Sequence, residues 1–142
     1  MSDPLLRWAQ RLGVPPAFTV LGSGELFLWA ADCRLQCGFC SHGLERRRPH
    51  RPRDHRLREN LPAAWVRREL VDHLRQLPRD LPWVTLGGWD VLEYPDVLGL
   101  ARVVRQAGRR LRITTPGLRL ADGNFAARLR AFAPSLTLTY LT

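Results

Sequence analysis

Apolar positions along this chain change period several times, and each change marks an element. Ala63, Val66, Leu70, Leu74 and Leu77 recur at helical spacing between Pro62 and Pro78. That predicts a helix that starts behind a first-turn proline and stops at the second one. Val97, Leu100, Ala101 and Val104 repeat the pattern from about Asp96 to Ala107, with Gly108 as the expected C-cap. Phe125, Leu129 and Phe132 do so again in a helix from about Asp122, closed by Pro134. At the start, Asp3-Pro4 combines an N-cap acceptor with a proline at the first helical position. It predicts a short helix with Leu5, Trp8 and Leu12 on one side, ended by Gly13 and Pro15-Pro16.

Between the helices lie short apolar runs of strand length. Ala17 to Leu21 and Glu25 to Ala30 flank a Gly22-Ser23-Gly24 turn and could form a hairpin. The second run is apolar without alternation, which favours a strand of a parallel sheet buried on both faces. Trp83 to Leu86 ends at Gly87-Gly88, Leu111 to Thr115 ends at Pro116-Gly117, and Leu136 to Leu141 makes a last strand. Strand and helix therefore alternate past the first loop, which argues for an α/β fold with a parallel sheet of about four strands and right-handed crossovers. Residues 1–16 read as an N-terminal helix and linker, and 17–142 as one βα domain.

With 142 residues, 45% of them hydrophobic and 25% charged, the chain is long enough for one core and is globular in composition. No apolar run is long enough to span a bilayer, so no membrane partner is expected. The N-terminus has neither a basic stretch nor an apolar segment of the secretory kind, and the expected compartment is the cytoplasm, where thiols stay reduced. The net charge of +9 comes from 22 basic residues, all arginine. Half of Glu45 to Arg58 is arginine, interrupted by Pro49 and Pro52, which makes a basic loop. Such a loop can meet nucleic acid or an acidic peptide, although a solvated loop accounts for the same composition.

The candidate chemistry is concentrated in Cys33, Cys37 and Cys40, the only cysteines, spaced C-x3-C-x2-C within eight residues. Clustering of this kind points to a metal or iron-sulfur site. Three thiolates can hold three corners of a cubane whose usual sites supply four, leaving one iron open to a ligand. A structural zinc site of the three cysteines with His42 is a rival on spacing alone. A disulfide would leave one cysteine over.

The C-x3-C-x2-C spacing, Phe39 just before the last cysteine and the strand-like Glu25 to Ala30 resemble the radical S-adenosylmethionine superfamily. Leu81 to Asp90 is similar to that family's second strand with its glycine-glycine-glutamate-proline motif, although Trp89 and Asp90 stand where glutamate and proline are usual. Arg109 to Gly117 resembles its third strand. The likeness covers roughly residues 17–142. It implies a partial (βα) barrel, shorter than the family's full six-unit barrel, a [4Fe-4S] cluster on the three cysteines, and S-adenosyl-L-methionine as the second cofactor. The family's binding positions fall here on Phe39 for the adenine and on Gly87, Gly88 and Trp89 for the methionyl amine. The acidic function falls on Asp90 or on backbone atoms, and a ribose or carboxylate contact on a fourth-strand hydroxyl such as Thr139. The implied reaction is reductive cleavage of S-adenosylmethionine to a 5′-deoxyadenosyl radical that abstracts hydrogen, with a peptide or protein as the substrate considered. Flavodoxin or ferredoxin would be the electron donor. Two alternatives stand beside it: a non-catalytic half-barrel that needs a partner, and a zinc-stabilised basic module that binds nucleic acid through residues 46–58.

Overall fold

The computed structural model describes residues 4–14, 16–29 and 61–139. The cysteines, Phe39, His42 and the arginine-rich stretch lie outside the described residues. Among the described residues are four helices and five strands: α1 (Pro4–Arg11), β1 (Phe18–Gly22), β2 (Glu25–Leu28), α2 (Ala63–Gln76), β3 (Trp83–Gly88), α3 (Val97–Gln106), β4 (Arg110–Thr115), α4 (Gly123–Arg130) and β5 (Ser135–Leu138). Short 3-10 turns at Val91–Glu93 and Leu118–Ala121 follow β3 and β4.

The strands form one sheet in the order β1-β2-β3-β4-β5. From β2 to β5 every neighbouring pair is parallel, with Leu28 opposite Gly88, Leu86 opposite Ile113 and Thr115 opposite Leu138. These are the four parallel strands that the βα alternation implies. β1 is added antiparallel to β2, Thr19 facing Phe27. The Gly22-Ser23-Gly24 turn thus makes a hairpin, and its second strand also opens the parallel ladder.

The core lies between the sheet and the helices. Leu26, Leu28, Val84, Leu86, Leu111 and Ile113 from the sheet meet Val66, Leu70 and Leu74 of α2 and Val97, Leu100 and Val104 of α3. Both helices bury the stripe that their apolar spacing marks. Gly108 ends α3 with φ +77, a left-handed conformation that a side chain would strain. Asp122 caps α4, its carboxylate accepting from the N–H groups of Asn124 and Phe125. Asp96 stands at the N-cap of α3, but its carboxylate accepts from Arg67 of α2 instead of a helix N–H.

Three features differ from the sequence expectations. α1 buries Leu6 and Ala9, while Trp8 is 54% and Leu12 63% exposed. Leu6 and Ala9 form a stripe beside the bulkier one, and small Ala9 permits closer approach. β2 and β3 are buried on one face only, since Phe27, Trp29, Trp83 and Thr85 are half-buried. Alternation was masked because aromatic side chains occupy the second face. Finally, α2 carries two buried acids, Glu69 and Asp72.

Glu69 joins the two halves of the described chain. Its carboxylate accepts from the backbone N–H of Ala17 at 2.9 Å and of Phe18 at 2.7 Å. Ala17 in turn accepts, through its carbonyl, from the N–H of Trp29 at 2.9 Å. His73, one turn along α2, sits edge-on to the Phe18 ring with centroids 6.1 Å apart, more enclosed than a surface histidine.

A buried arginine closes the other end of α2. Arg109 donates to the carbonyls of Pro78 at 2.7 Å and Leu81 at 2.6 Å, and its second amine lies 3.5 Å from those of Leu74 and Leu77. The carbonyls that a helix leaves unpaired at its C-terminus are thereby met by a cation, which also suits the negative end of the helix dipole.

Candidate functional site

Because β2 to β5 are parallel, their carboxyl ends meet along one edge of the sheet. Ligands of open α/β sheets bind at this edge. Four chain segments converge there: Trp29 after β2, Gly87-Gly88 closing β3, Thr115 closing β4, and Thr139 after β5. Thr139 donates its backbone N–H to the Thr115 carbonyl at 3.0 Å, extending the last ladder by one residue. Its side chain is exposed.

Gly87 and Gly88 serve different purposes. A Cβ on Gly88 would lie 2.7 Å from the Leu28 carbonyl oxygen, so β2 and β3 can close at this point only around a residue without a side chain. On Gly87 the nearest atom to a Cβ would be the Thr114 Cβ at 4.0 Å. Gly87 therefore leaves a bare patch on the sheet, with Phe27 on one side and Thr114 on the other.

Trp89 turns onto that same side. Its ring is perpendicular to Phe27 with centroids 5.2 Å apart and lies 6.0 Å from Trp29, while Phe27 and Trp29 are 4.9 Å apart. Trp29 donates its indole N–H to the Thr19 hydroxyl at 2.7 Å, which fixes the ring. The three rings make an aromatic wall at the carboxyl ends of β2 and β3. Only Trp89 was singled out from the sequence. The spacing of Phe27 with Trp29, and of Trp83, Gly87 and Trp89, at intervals of two or four residues is the signal that puts them on one face.

Asp90 is wholly buried. Its carboxylate accepts from the Thr115 hydroxyl at 2.7 Å and from the Leu92 N–H at 3.3 Å, and the Thr115 hydroxyl oxygen accepts from the Gly117 N–H at 3.0 Å. Asp90 thus starts the 3-10 turn and ties the ends of β3 and β4 together. In this arrangement one carboxylate oxygen of Asp90 holds the edge in place. The backbone of Gly87-Gly88 closes β3 beside the aromatic wall.

Among the described residues no three His, Cys, Asp or Glu side chains are grouped to hold a metal ion. Cys33, Cys37, Cys40 and Phe39 lie outside those residues, in the sequence that follows Trp29. A cavity of about 480 Å³ lies elsewhere, between the C-terminal ends of α2 and α3 at the amino edge, lined in part by Leu74, Arg75, Arg79 and Arg109. No helix among the described residues is long and apolar enough to cross a membrane. No family model, curated protein or solved structure matches the chain.

Proposed function

We propose that this chain is a radical S-adenosylmethionine protein in which β2 to β5 form part of a (βα) barrel and Cys33, Cys37 and Cys40 hold a [4Fe-4S] cluster. One observation carries the reading. The strand that leads into the cysteines is parallel to β3, and its last paired residue, Leu28, lies opposite Gly88. The sequence that carries the cysteines thus begins one residue past a strand end that lies beside the glycine pair, at the edge where parallel sheets take their ligands.

The donor set suits the group. Three thiolates in a short loop leave one iron for a chelating ligand, and that ligand is proposed to be S-adenosyl-L-methionine. When bound, the two cofactors supply one-electron cleavage of a carbon–sulfur bond and hydrogen abstraction from a substrate, the electron coming from a flavodoxin or ferredoxin. The chain's own residues bind and position. Backbone carbonyls at Gly87-Gly88 accept from the methionyl amine, and Phe39 is assigned to the adenine. Phe27, Trp29 and Trp89 exclude water from one side, and Asp90 with Thr115 holds the turn rigid. Thr139, just past β5, is assigned the ribose or carboxylate contact at the same edge.

Anaerobic reconstitution with iron and sulfide tests the proposal. The expected result is about four irons per chain, with 5′-deoxyadenosine released on reduction in the presence of S-adenosylmethionine and both lost in a Cys33→Ser, Cys37→Ser, Cys40→Ser variant. An iron-free, colourless protein refutes it, and one firmly held zinc per chain would replace it with the zinc-stabilised module. A second reading, a half-barrel completed by a partner chain, is favoured by β5, which is exposed along its length with Leu136 at 39% and Leu138 at 43%. It predicts iron without deoxyadenosine, and a dimer by light scattering.

A further inference from the structure

The sheet has two unlike faces. One is covered by α2 and α3. The other presents aromatic and arginine side chains. Near the amino end of that face, the Arg112 guanidinium carbon lies 4.7 Å from the centre of the Trp83 ring, and that of Arg110 lies 5.6 Å from it. Toward the carboxyl end of the same face come the bare patch at Gly87 and the rings of Phe27 and Trp89. The strand register fixes this order: Trp83 is opposite Arg110, Thr85 opposite Arg112, and Phe27 opposite Gly87.

A guanidinium stacked on an indole is gripped by its flat face and keeps its in-plane N–H donors for an anion. Among the described residues neither Arg110 nor Arg112 forms an ion pair. Arg110 is exposed and Arg112 half-buried, so both can be reached. Glu25, two strands away in the row of Arg112, marks where the basic patch ends. Two arginines set over one indole and a further set of rings, on one face of a chain with net charge +9, call for a ligand with both phosphates and flat apolar groups. Acidic peptides supply the charge without the rings. A duplex supplies phosphates but keeps its bases inside.

We propose that this face of the sheet binds single-stranded nucleic acid, Arg110 and Arg112 taking phosphates and the rings of Phe27 and Trp89 offering stacking surfaces beside the bare patch at Gly87. A backbone-tracking row of cations with interleaved aromatics is the physical basis of sequence-tolerant single-strand binding. The inference does not depend on the cluster, because Phe27, Gly87, Arg110 and Arg112 belong to the sheet and Trp89 directly follows β3.

The test is fluorescence anisotropy of the whole chain with a labelled oligouridine of about twelve nucleotides, over a range of salt concentrations. Arg110→Gln with Arg112→Gln should weaken binding about tenfold and reduce the salt slope by about 1.4, the amount expected for two phosphate contacts to a single strand. Arg75→Gln with Arg79→Gln removes the same charge from exposed positions on the helical side and should leave affinity within about twofold. The unsubstituted protein should bind the single strand more tightly than a duplex of equal length, a comparison that needs no variant to fold. Equal losses in the two double variants, equal affinity for the duplex, or no binding at all would each overturn the proposal.

Discussion

The two adjacent glycines at the end of β3 allow a sharp comparison, because the same substitution meets different surroundings at each. In Gly88→Ala the new methyl would lie 2.7 Å from the Leu28 carbonyl oxygen, where ordinary contact begins at 3.4 Å. The strands would have to separate by about 0.7 Å at their last paired residues, and neither atom is at the end of a flexible side chain. Overpacking of this kind costs about 1–3 kcal/mol. For a domain of this size that lowers the melting temperature by roughly 3–10 °C. In Gly87→Ala the methyl meets nothing closer than 4.0 Å, and stability should stay within about 0.5 kcal/mol, as at ordinary surface positions. Urea unfolding followed by tryptophan fluorescence measures both. The cofactor proposal adds a second readout: Gly88→Ala should also lower iron retention, since the displaced strand is the one that leads into the cysteines. Equal stability for the two variants, or a larger loss at Gly87, would refute the close-approach argument.

Two further outcomes follow from buried polar groups. Glu69→Gln replaces an oxygen that accepts a backbone N–H with an amide that can only donate there, leaving one of the Ala17 and Phe18 N–H groups unmet. The expected loss is about 1–3 kcal/mol, read by urea unfolding, and an unchanged midpoint would show that the carboxylate is not holding the hairpin. Tyr94 gives a pH effect: burial first, then the nearby Asp96 carboxylate, outweigh Arg67 and push its phenol from the ordinary 10.0 up to about 12. The folded state then holds this proton more tightly than the unfolded chain does. The contribution to stability is full below pH 10 and is lost as pH rises toward 12. Tyr94→Phe should flatten that part of the stability profile, and a profile identical to that of the unsubstituted protein would sink the assignment.

Periodicity made most of the fold legible. The stripes in α2, α3 and α4 each bury a face, and the residues that the sequence marks as stops, Pro78, Gly108 and Pro116-Gly117, are where the elements end. What it concealed were interactions between distant residues. Nothing in the spacing of α2 says that Glu69 reaches back to Ala17, or that Arg109 caps a helix whose last turn is more than thirty residues earlier. The α1 face was misjudged because large apolar residues outrank alanine in any pattern, whereas a small residue suits close packing. At the carboxyl edge, glycine and aspartate were recognisable as candidates but not distinguishable in role. The register shows Gly88 to be a point of strand contact and Gly87 a gap, and Thr115 donates its hydroxyl to Asp90 at the turn.

The hydrogen bonds at Ala17 fix the two described points of the chain between which the cysteines fall in the sequence. This residue receives the Trp29 amide on one side and gives its own to Glu69 on the other, so the chain just before position 30 and the helix just after position 60 are moored to a single point. Bringing the ends of a long loop together costs entropy that rises with its length. Here the sheet and α2 meet that cost in advance, and under the cluster proposal the metal need not gather the two ends itself.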